Sequence, residues 1–484
     1  MASWRPPLLG TLGSNRSFCS LLLGRLVTNA GDSLYYIAAM WLVFELTGSP
    51  LYTGIAGFLV RAPSALGFLA GPLVDRWPLR RVLVGSQLVN GVLVLAVPVA
   101  AATGHLSVWV VLALLPLVTF VNQFVYPAQN AALPRIVDDD DLATANSLMS
   151  ASFQTADMIF NAASGVLIAV VGAVALFVID SITFGLAMLL FLGVTFPDLD
   201  GGAEAVTASA DESAAPDQSS ELGESAAPDQ SSELGESAAP DQSSELDESV
   251  EKPAGYVAEL REGIAYVRGS VLVPLVGGVV IANLAAGAML GVLPAFAGTV
   301  GGPDAFGFLM AAYAGGTLVG TLLASRLDDR PFGWIAGIGN LLSGTLLAGA
   351  LAITWFPGTL WLFFLSFVPI GAFNVLFWTT LQSAVHDDLL GRVSSLVKSA
   401  ALVAIPVGSL VGGAAAGVVG SRAVVASWSV GTIFFGLYVA ARPSLRSLPS
   451  AVEIDASMLR VGRRGDVSGT DPHAPVDPTH SADP

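Results

Sequence analysis

Runs of apolar residues long enough to cross a bilayer recur along most of this 484-residue chain, and their length restricts the fold more than any single motif does. A helix needs about 20 such residues to traverse a hydrocarbon core of roughly 30 Å. On that basis spans are expected near residues 18–46, 51–74, 80–103, 106–127, 142–170 and 173–196, and again near 271–297, 305–325, 332–356, 359–380, 392–418 and 422–441. The runs are continuous and do not alternate, which specifies helices and not barrel strands. The expected fold class is an all-α membrane protein with twelve transmembrane helices in two six-helix bundles. Composition agrees: 12% of the residues are charged, against about 25% in a soluble domain. The first run begins near Phe18 and is too long for the apolar core of a signal peptide, so it is expected to remain as a span. The one cysteine, Cys19, excludes an intrachain disulfide.

The net charge of −17 belongs to one segment. Between Pro197 and Lys252 lie 16 of the 38 acidic residues and a single Lys, so the remainder is almost neutral. No basic patch remains to neutralise phosphates, and nucleic acid is not an expected partner. Inside the segment Glu-Ser-Ala-Ala-Pro-Asp-Gln-Ser-Ser-Glu-Leu-Gly begins at Glu212 and again at Glu224, and a third copy from Glu236 ends in Asp247. Such a composition cannot bury a core, which predicts a disordered linker. From Tyr256 to Val267 apolar residues fall at helical spacing, as in an amphipathic helix lying on a membrane face. The expected organisation is a six-helix bundle over 1–197, an acidic low-complexity linker over 198–252, the amphipathic helix and a second bundle over 253–445, and a disordered tail over 446–484. With 19 Arg against 2 Lys, the acidic segment suits a salt-rich, halophilic cytoplasm that screens close-set carboxylates.

Placement of the basic residues orients the spans. Arg76, Arg80, Arg81, Arg135, Lys252, Arg261, Arg268, Arg326, Arg330 and Arg392 fall in even-numbered loops, and Arg422 is the exception. Arg5, Arg16, Arg442 and Arg446 flank the outermost spans. The positive-inside rule then puts both termini and the linker in the cytoplasm of a multi-pass protein of the cell membrane.

Charge within a span costs about 2.5–3.5 kcal/mol per residue at mid-helix, so each instance asks for a reason. Arg25, Asp32, Arg61, Asp157 and Asp180 all fall within spans of the first half. At about 1.5 Å per residue, Asp32, Arg61, Asp157 and Asp180 come out in one layer near the membrane middle. Arg25, Asn29, Asp32 and Tyr36 line one face of the first span. Asn146, Ser150, Asp157, Asn161 and Ser164 do so on the fifth, and Thr119, Asn122, Tyr126 and Gln129 on the fourth. Such stripes face a watery cavity or other helices. Asn29, Tyr36, Asn122, Tyr126 and Asn161 are therefore candidate cavity-lining residues, with Asn283 and Asn374 in the second half. Asp32 and Asp157 read equally as proton-coupling sites or as partners in a structural ion pair. Arg25, Arg61 and Asp180 are candidates for intramembrane ion pairs.

The stretch Gly71-Pro72-Leu73-Val74-Asp75-Arg76-Trp77-Pro78-Leu79-Arg80-Arg81 joins the second and third spans as a tight charged hairpin. It resembles the loop signature of the major facilitator superfamily, with Pro78 setting the turn where that family has a second Gly. The halves also resemble each other. Asp141-Leu142 matches Asp388-Leu389, Gly165 and Gly172 match Gly413 and Gly420, and Gln129-Asn130-Ala131 matches Gln382-Ser383-Ala384. Duplicated halves with a substrate site between them are this family's construction. Within it, the chain looks most similar to the macrolide-efflux and siderophore-exporter branch. That likeness rests on Arg25-x6-Asp32-Ser33-Leu34, on Trp41 to Ser49, and on Pro134-Arg135-Ile136-Val137 leading to Asp141-Leu142-x3-Asn146.

The resemblance implies a secondary transporter acting as a monomer, a proton-coupled exporter of small, largely apolar compounds. Gly71, Asp75, Arg76, Arg80 and Arg81 would form its conformational-switch loop. Phe160-Asn161 stand where antiporters of the family carry Gly-Pro, which keeps an uptake permease on the same fold as the alternative. A non-transporting membrane scaffold or sensor is a further one, with the linker as its binding element. Enzyme chemistry is not expected. The Lys398-Ser399 pair follows Val397, so no P-loop forms and no ATP is hydrolysed. His105, His386, His473 and His480 are scattered and make no metal set. No cofactor and no catalytic residue is assigned.

Overall fold

The computed structural model describes residues 12–64, 77–195, 272–384, 387–451 and 453–454. Gly71, Asp75, Arg76, the acidic segment 198–252, the amphipathic stretch 256–267 and the chain beyond 454 lie outside those residues. The side chains of Tyr126, Asp157 and Asn161 are also outside them.

Twelve helices carry the described chain: α1 (Arg16–Thr47), α2 (Pro50–Arg61), α3 (Leu79–Ala102), α4 (Val108–Ala132), α5 (Leu142–Val171), α6 (Ala173–Leu192), α7 (Leu272–Val300), α8 (Pro303–Ala324), α9 (Phe332–Ala352), α10 (Phe356–Ala384), α11 (Asp387–Val419) and α12 (Ser421–Ala441). Apart from α2, of which twelve residues are described, their ends lie within five residues of the expected spans. Nine of them are long and apolar enough to cross a membrane; the others are α2 and the stripe-bearing α1 and α5. Local signals set the ends. Asn15 caps α1 by accepting from the Phe18 amide at 3.0 Å, and Gly48 closes it in the left-handed region at φ 60°. Pro50 and Pro303 open α2 and α8 at the first helical turn, where no amide hydrogen is needed.

The duplication read from sequence is present in the packing. In the first bundle α1 packs on α5 and α6, α3 on α4 and α6, and α2 on α4; in the second α7 packs on α11 and α12, α9 on α10 and α12, and α8 on α10. Gly172 and Gly420, the matched glycines between α5 and α6 and between α11 and α12, have φ of 81° and 85°. Close approach explains the small-residue pairs Gly287/Gly291 and Gly408/Gly412. A Cβ on Gly287 would meet the Ile405 carbonyl of α11, and one on Gly408 the Leu284 carbonyl of α7. One apolar cluster runs across both halves and includes Ile37, Trp41, Phe177, Leu293, Phe306, Phe363 and Trp428.

Two findings depart from expectation. Arg422, the basic residue on the wrong side for the orientation rule, donates from Nη2 to the Leu351 carbonyl and so satisfies the open end of α9. The carboxy-terminal tail is packed, not free, as far as Ile454. Leu445, Leu448, Ala451 and Ile454 are buried against Phe332 and Phe373, and the Phe332 amide donates to the Pro449 carbonyl at 2.8 Å. Four spaced apolar side chains suffice to hold this segment, and a composition average over 446–484 hides them.

Candidate functional site

The polar stripe of α1 is the axis of the site. Asn29, Asp32 and Tyr36 border a cavity of about 450 Å³ between the bundles. Arg61 on α2 borders it as well, as do Thr119, Asn122 and Gln123 on α4. The second bundle contributes Leu290 from α7 with Met310 and Tyr313 from α8. The first bundle thus supplies every charged and amide group of the lining, beside Tyr36, Val60 and Phe153, and the second supplies thioether, alkyl and phenol.

Asp32 is held from two further helices. Asn122 Nδ2 donates to Asp32 Oδ1 at 3.1 Å, and Asn90 Nδ2 of α3 donates to Asn122 Oδ1 at 2.6 Å. Because Asn90 is fully buried, this chain of donors fixes the carboxylate with respect to α3 and α4. The Arg61 guanidinium carbon stands 5.4 Å from the Tyr36 ring centre, within cation–π range. Arg25 is placed likewise, 5.6 Å from the Phe153 ring on α5.

Of the expected four-charge layer, Asp32 and Arg61 therefore share one cavity. Asp180 does not border it. Its side chain is wholly buried on α6 and lies against Gly31 of α1. Oδ1 accepts from the Thr183 hydroxyl at 3.3 Å, while Oδ2 has no hydrogen-bond partner among the described residues. The ion pair expected for Asp180 is thus corrected to a hydroxyl contact. Depth along a helix gives the height of a residue, not the side from which it meets its neighbour. Gly31, lacking a side chain, admits the carboxyl behind α1. Neither Asn283 nor Asn374 borders this cavity. Asn283 Nδ2 turns onto its own helix and donates to Val279 O at 2.8 Å, and Asn374 is exposed. Asn29, Tyr36 and Asn122 border the cavity.

Two seams join the bundles on the side away from Leu12 and Ile454. On one, Gly54 of α2 meets α11: an added Cβ would lie 2.7 Å from Gly413 Cα, and Ser409 Oγ donates to Gly54 O at 3.1 Å. On the other, a Cβ on Gly165 of α5 would overlap the Gly307 backbone of α8. Trp41 stacks on Phe306 beside it, ring centres 5.8 Å apart. The sequence comparison paired Gly165 with Gly413 but missed Gly54 and Gly307. Their signal was present: each stands four residues after the proline that opens its helix, Pro50 or Pro303.

Two six-helix bundles around a central, partly polar cavity suit a membrane transporter. The model of the Major Facilitator Superfamily matches residues 21–224. The uncharacterized MFS-type transporter YvqJ of Bacillus subtilis is 22% identical over 87% of this chain and 91% of its own length. Multidrug efflux pump Tap of Mycobacterium tuberculosis is 25% identical over 91% of this chain and 97% of its own length. Macrolide efflux protein A of Streptococcus pyogenes is 27% identical over 28% of this chain and 35% of its own. In fold, a bacterial homologue of the iron transporter ferroportin in an inward-facing state aligns with TM-score 0.59 at 15% identity, covering 88% of this chain and 99% of that one. In sequence over residues 21–224 and in overall fold, the chain is similar to transporters of the major facilitator superfamily.

Proposed function

We propose that this transporter exports small, largely apolar compounds by alternating access, driven by protons. The observation that carries the reading is the two-faced cavity, in which Leu290, Met310 and Tyr313 oppose Asp32, Asn122 and Arg61. An apolar body suits the first wall and a polar head the second. The efflux named for Tap and for macrolide efflux protein A supports the direction. Asp32 or Asp157 is the coupling carboxylate. Only its charged form needs water or a cation near the membrane middle, so gaining a proton favours one arrangement of the bundles over the other. Both termini and the linker are cytoplasmic, and the monomer is the working unit. The two glycine seams then close the outer side. At the loop, Asp75 engages the positive end of α11 near Arg392 in one state and releases it in the other, with Arg76, Arg80 and Arg81 beside it.

Vesicles containing the full chain test this reading. Inside-out vesicles energised to an acidic interior should accumulate a fluorescent apolar compound, and a protonophore should release it. Accumulation only in right-side-out vesicles would make the protein an uptake permease. With Cys19 replaced, a cysteine at Ser231 should react with an impermeant maleimide only after the membrane is opened; labelling of intact cells would invert the topology.

A further inference from the structure

A second hollow lies on the outer surface of the first bundle, between α3 and α4, at the ends that share a side with Leu12 and Ile454. It measures about 440 Å³ and is lined by Trp77, Arg81, Gly85, Val89, Val121 and Phe124 among others. Except for Arg81 and Ser86 its lining is apolar. The neighbouring arginine is already engaged, since Arg80 Nη2 donates to the Leu192 carbonyl at the end of α6, 2.7 Å away. Arg81 has no such role: it is exposed, its amide donates to the Pro78 carbonyl at 2.8 Å, and its guanidinium makes no hydrogen bond or ion pair among the described residues. Its charge therefore stands at the head of an apolar slot. Trp77, 52% exposed, stands at the same end and stacks on Phe124 with ring centres 6.2 Å apart. Tryptophan with arginine at a helix end is the arrangement found at the level of lipid headgroups. Toward the membrane middle the slot continues past Gly85, where an added Cβ would meet nothing within 4 Å, to Val89, which is 46% exposed. From Arg81 to Val89 the helix rises about 12 Å, most of the roughly 15 Å of hydrocarbon in one leaflet.

We propose that this slot binds one anionic phospholipid, with its phosphate on Arg81 and an acyl chain lying over Gly85 between Val89 and Val121. The surface faces lipid because the chain spans the bilayer. The single unengaged cation selects an anionic headgroup, and the space left by Gly85 admits the chain. The site is separate from the central cavity and does not depend on what that cavity carries.

The test uses the full chain in nanodiscs of phosphatidylcholine with a rising fraction of phosphatidylglycerol of the same acyl chains. Native mass spectrometry counts retained lipid, and thermal unfolding is followed in parallel. Phosphatidylglycerol should be retained in preference to phosphatidylcholine and should raise the unfolding temperature. Arg81→Gln should weaken its retention about fivefold, the effect of one arginine near an anionic lipid surface, and Arg81→Lys should restore most of it. Gly85→Phe keeps the charge and fills the slot; it should abolish preferential retention while leaving the protein folded, since the added side chain enters open space. Arg442→Gln, at the far bundle, should change nothing. Unaltered retention in Arg81→Gln would overturn the headgroup assignment. Unaltered retention in Gly85→Phe would overturn the slot and leave only diffuse attraction. Equal retention of both lipids by the parent protein would overturn the whole.

Discussion

In the first bundle α3, α4 and α6 pack as α9, α10 and α12 do in the second, but what they enclose differs. The first encloses Asp180 and the amides Gln87 and Asn90, all fully buried, and sets Asp32 and Arg61 at the cavity. The second buries Asn340, Ser343, Ser366, Thr380 and Ser429, all uncharged, and its described charged side chains stand at helix ends, as Asp304 and Arg422 do. Since the same helix contacts form without mid-membrane charge in one half, the charges of the other are not needed for packing. Their insertion penalty must be offset by something else, and on the function proposed above that is the movement of substrate or protons.

The sharpest way to break this comparison is to neutralise the coupling carboxylate. Asp32→Asn or Asp157→Asn should abolish gradient-driven accumulation while sparing substrate binding measured by fluorescence. Asn283→Ala in the second bundle should leave both intact, because its amide serves only its own helix. If both Asn variants still transport against a gradient, the chemical asymmetry is not the coupling device.

Next in size is the seam shared by the bundles. Gly165→Trp must displace the Gly307 backbone, and overpacking of this kind costs about 1–3 kcal/mol or more. Spin-label distances across the seam should lengthen and the population closed on that side should fall. Gly431→Ala on α12, where an added Cβ meets nothing, should leave those distances unchanged.

A smaller effect separates the two accounts of Asp180. Thr183→Val removes the hydroxyl from a wholly buried carboxyl and should cost about 1–3 kcal/mol of stability, read as a fall in unfolding temperature. Should Arg61→Gln cause that fall and Thr183→Val none, the ion pair expected from sequence would be the correct one. Smallest of all, deleting Glu212 to Asp247 should leave insertion and unfolding temperature nearly unchanged, since a segment so rich in Glu, Asp, Ser and Pro has too few apolar residues to dock on either bundle.

Much of the architecture was legible because a bilayer makes length a code. Eleven of the twelve helices end within five residues of where run lengths place them, and glycine, asparagine and proline mark the ends. The stripe of Asn29, Asp32 and Tyr36 was legible too, because helical spacing fixes which residues share a face. What could not be read is the angle between helices. Asp180 and Asp32 share a height, but one faces the cavity and the other sits behind Gly31. Asn283 bonds to its own backbone, an alternative open to any helical asparagine and invisible to periodicity. The packed tail was missed because Leu445, Leu448, Ala451 and Ile454 are few among polar neighbours.

The two glycine seams carry one more consequence, for chain connectivity. Exchanging each helix for its counterpart six places along turns the α2–α11 contact into the α8–α5 contact, and the prolines before Gly54 and Gly307 follow the same exchange. Each half therefore presents the same two edges to its neighbour, and neither edge depends on which half is made first. The two seams by themselves do not require one order of the halves. A permuted polypeptide that starts at Leu272, runs through the original carboxy terminus into the original amino terminus and stops at Thr195 would rebuild both seams.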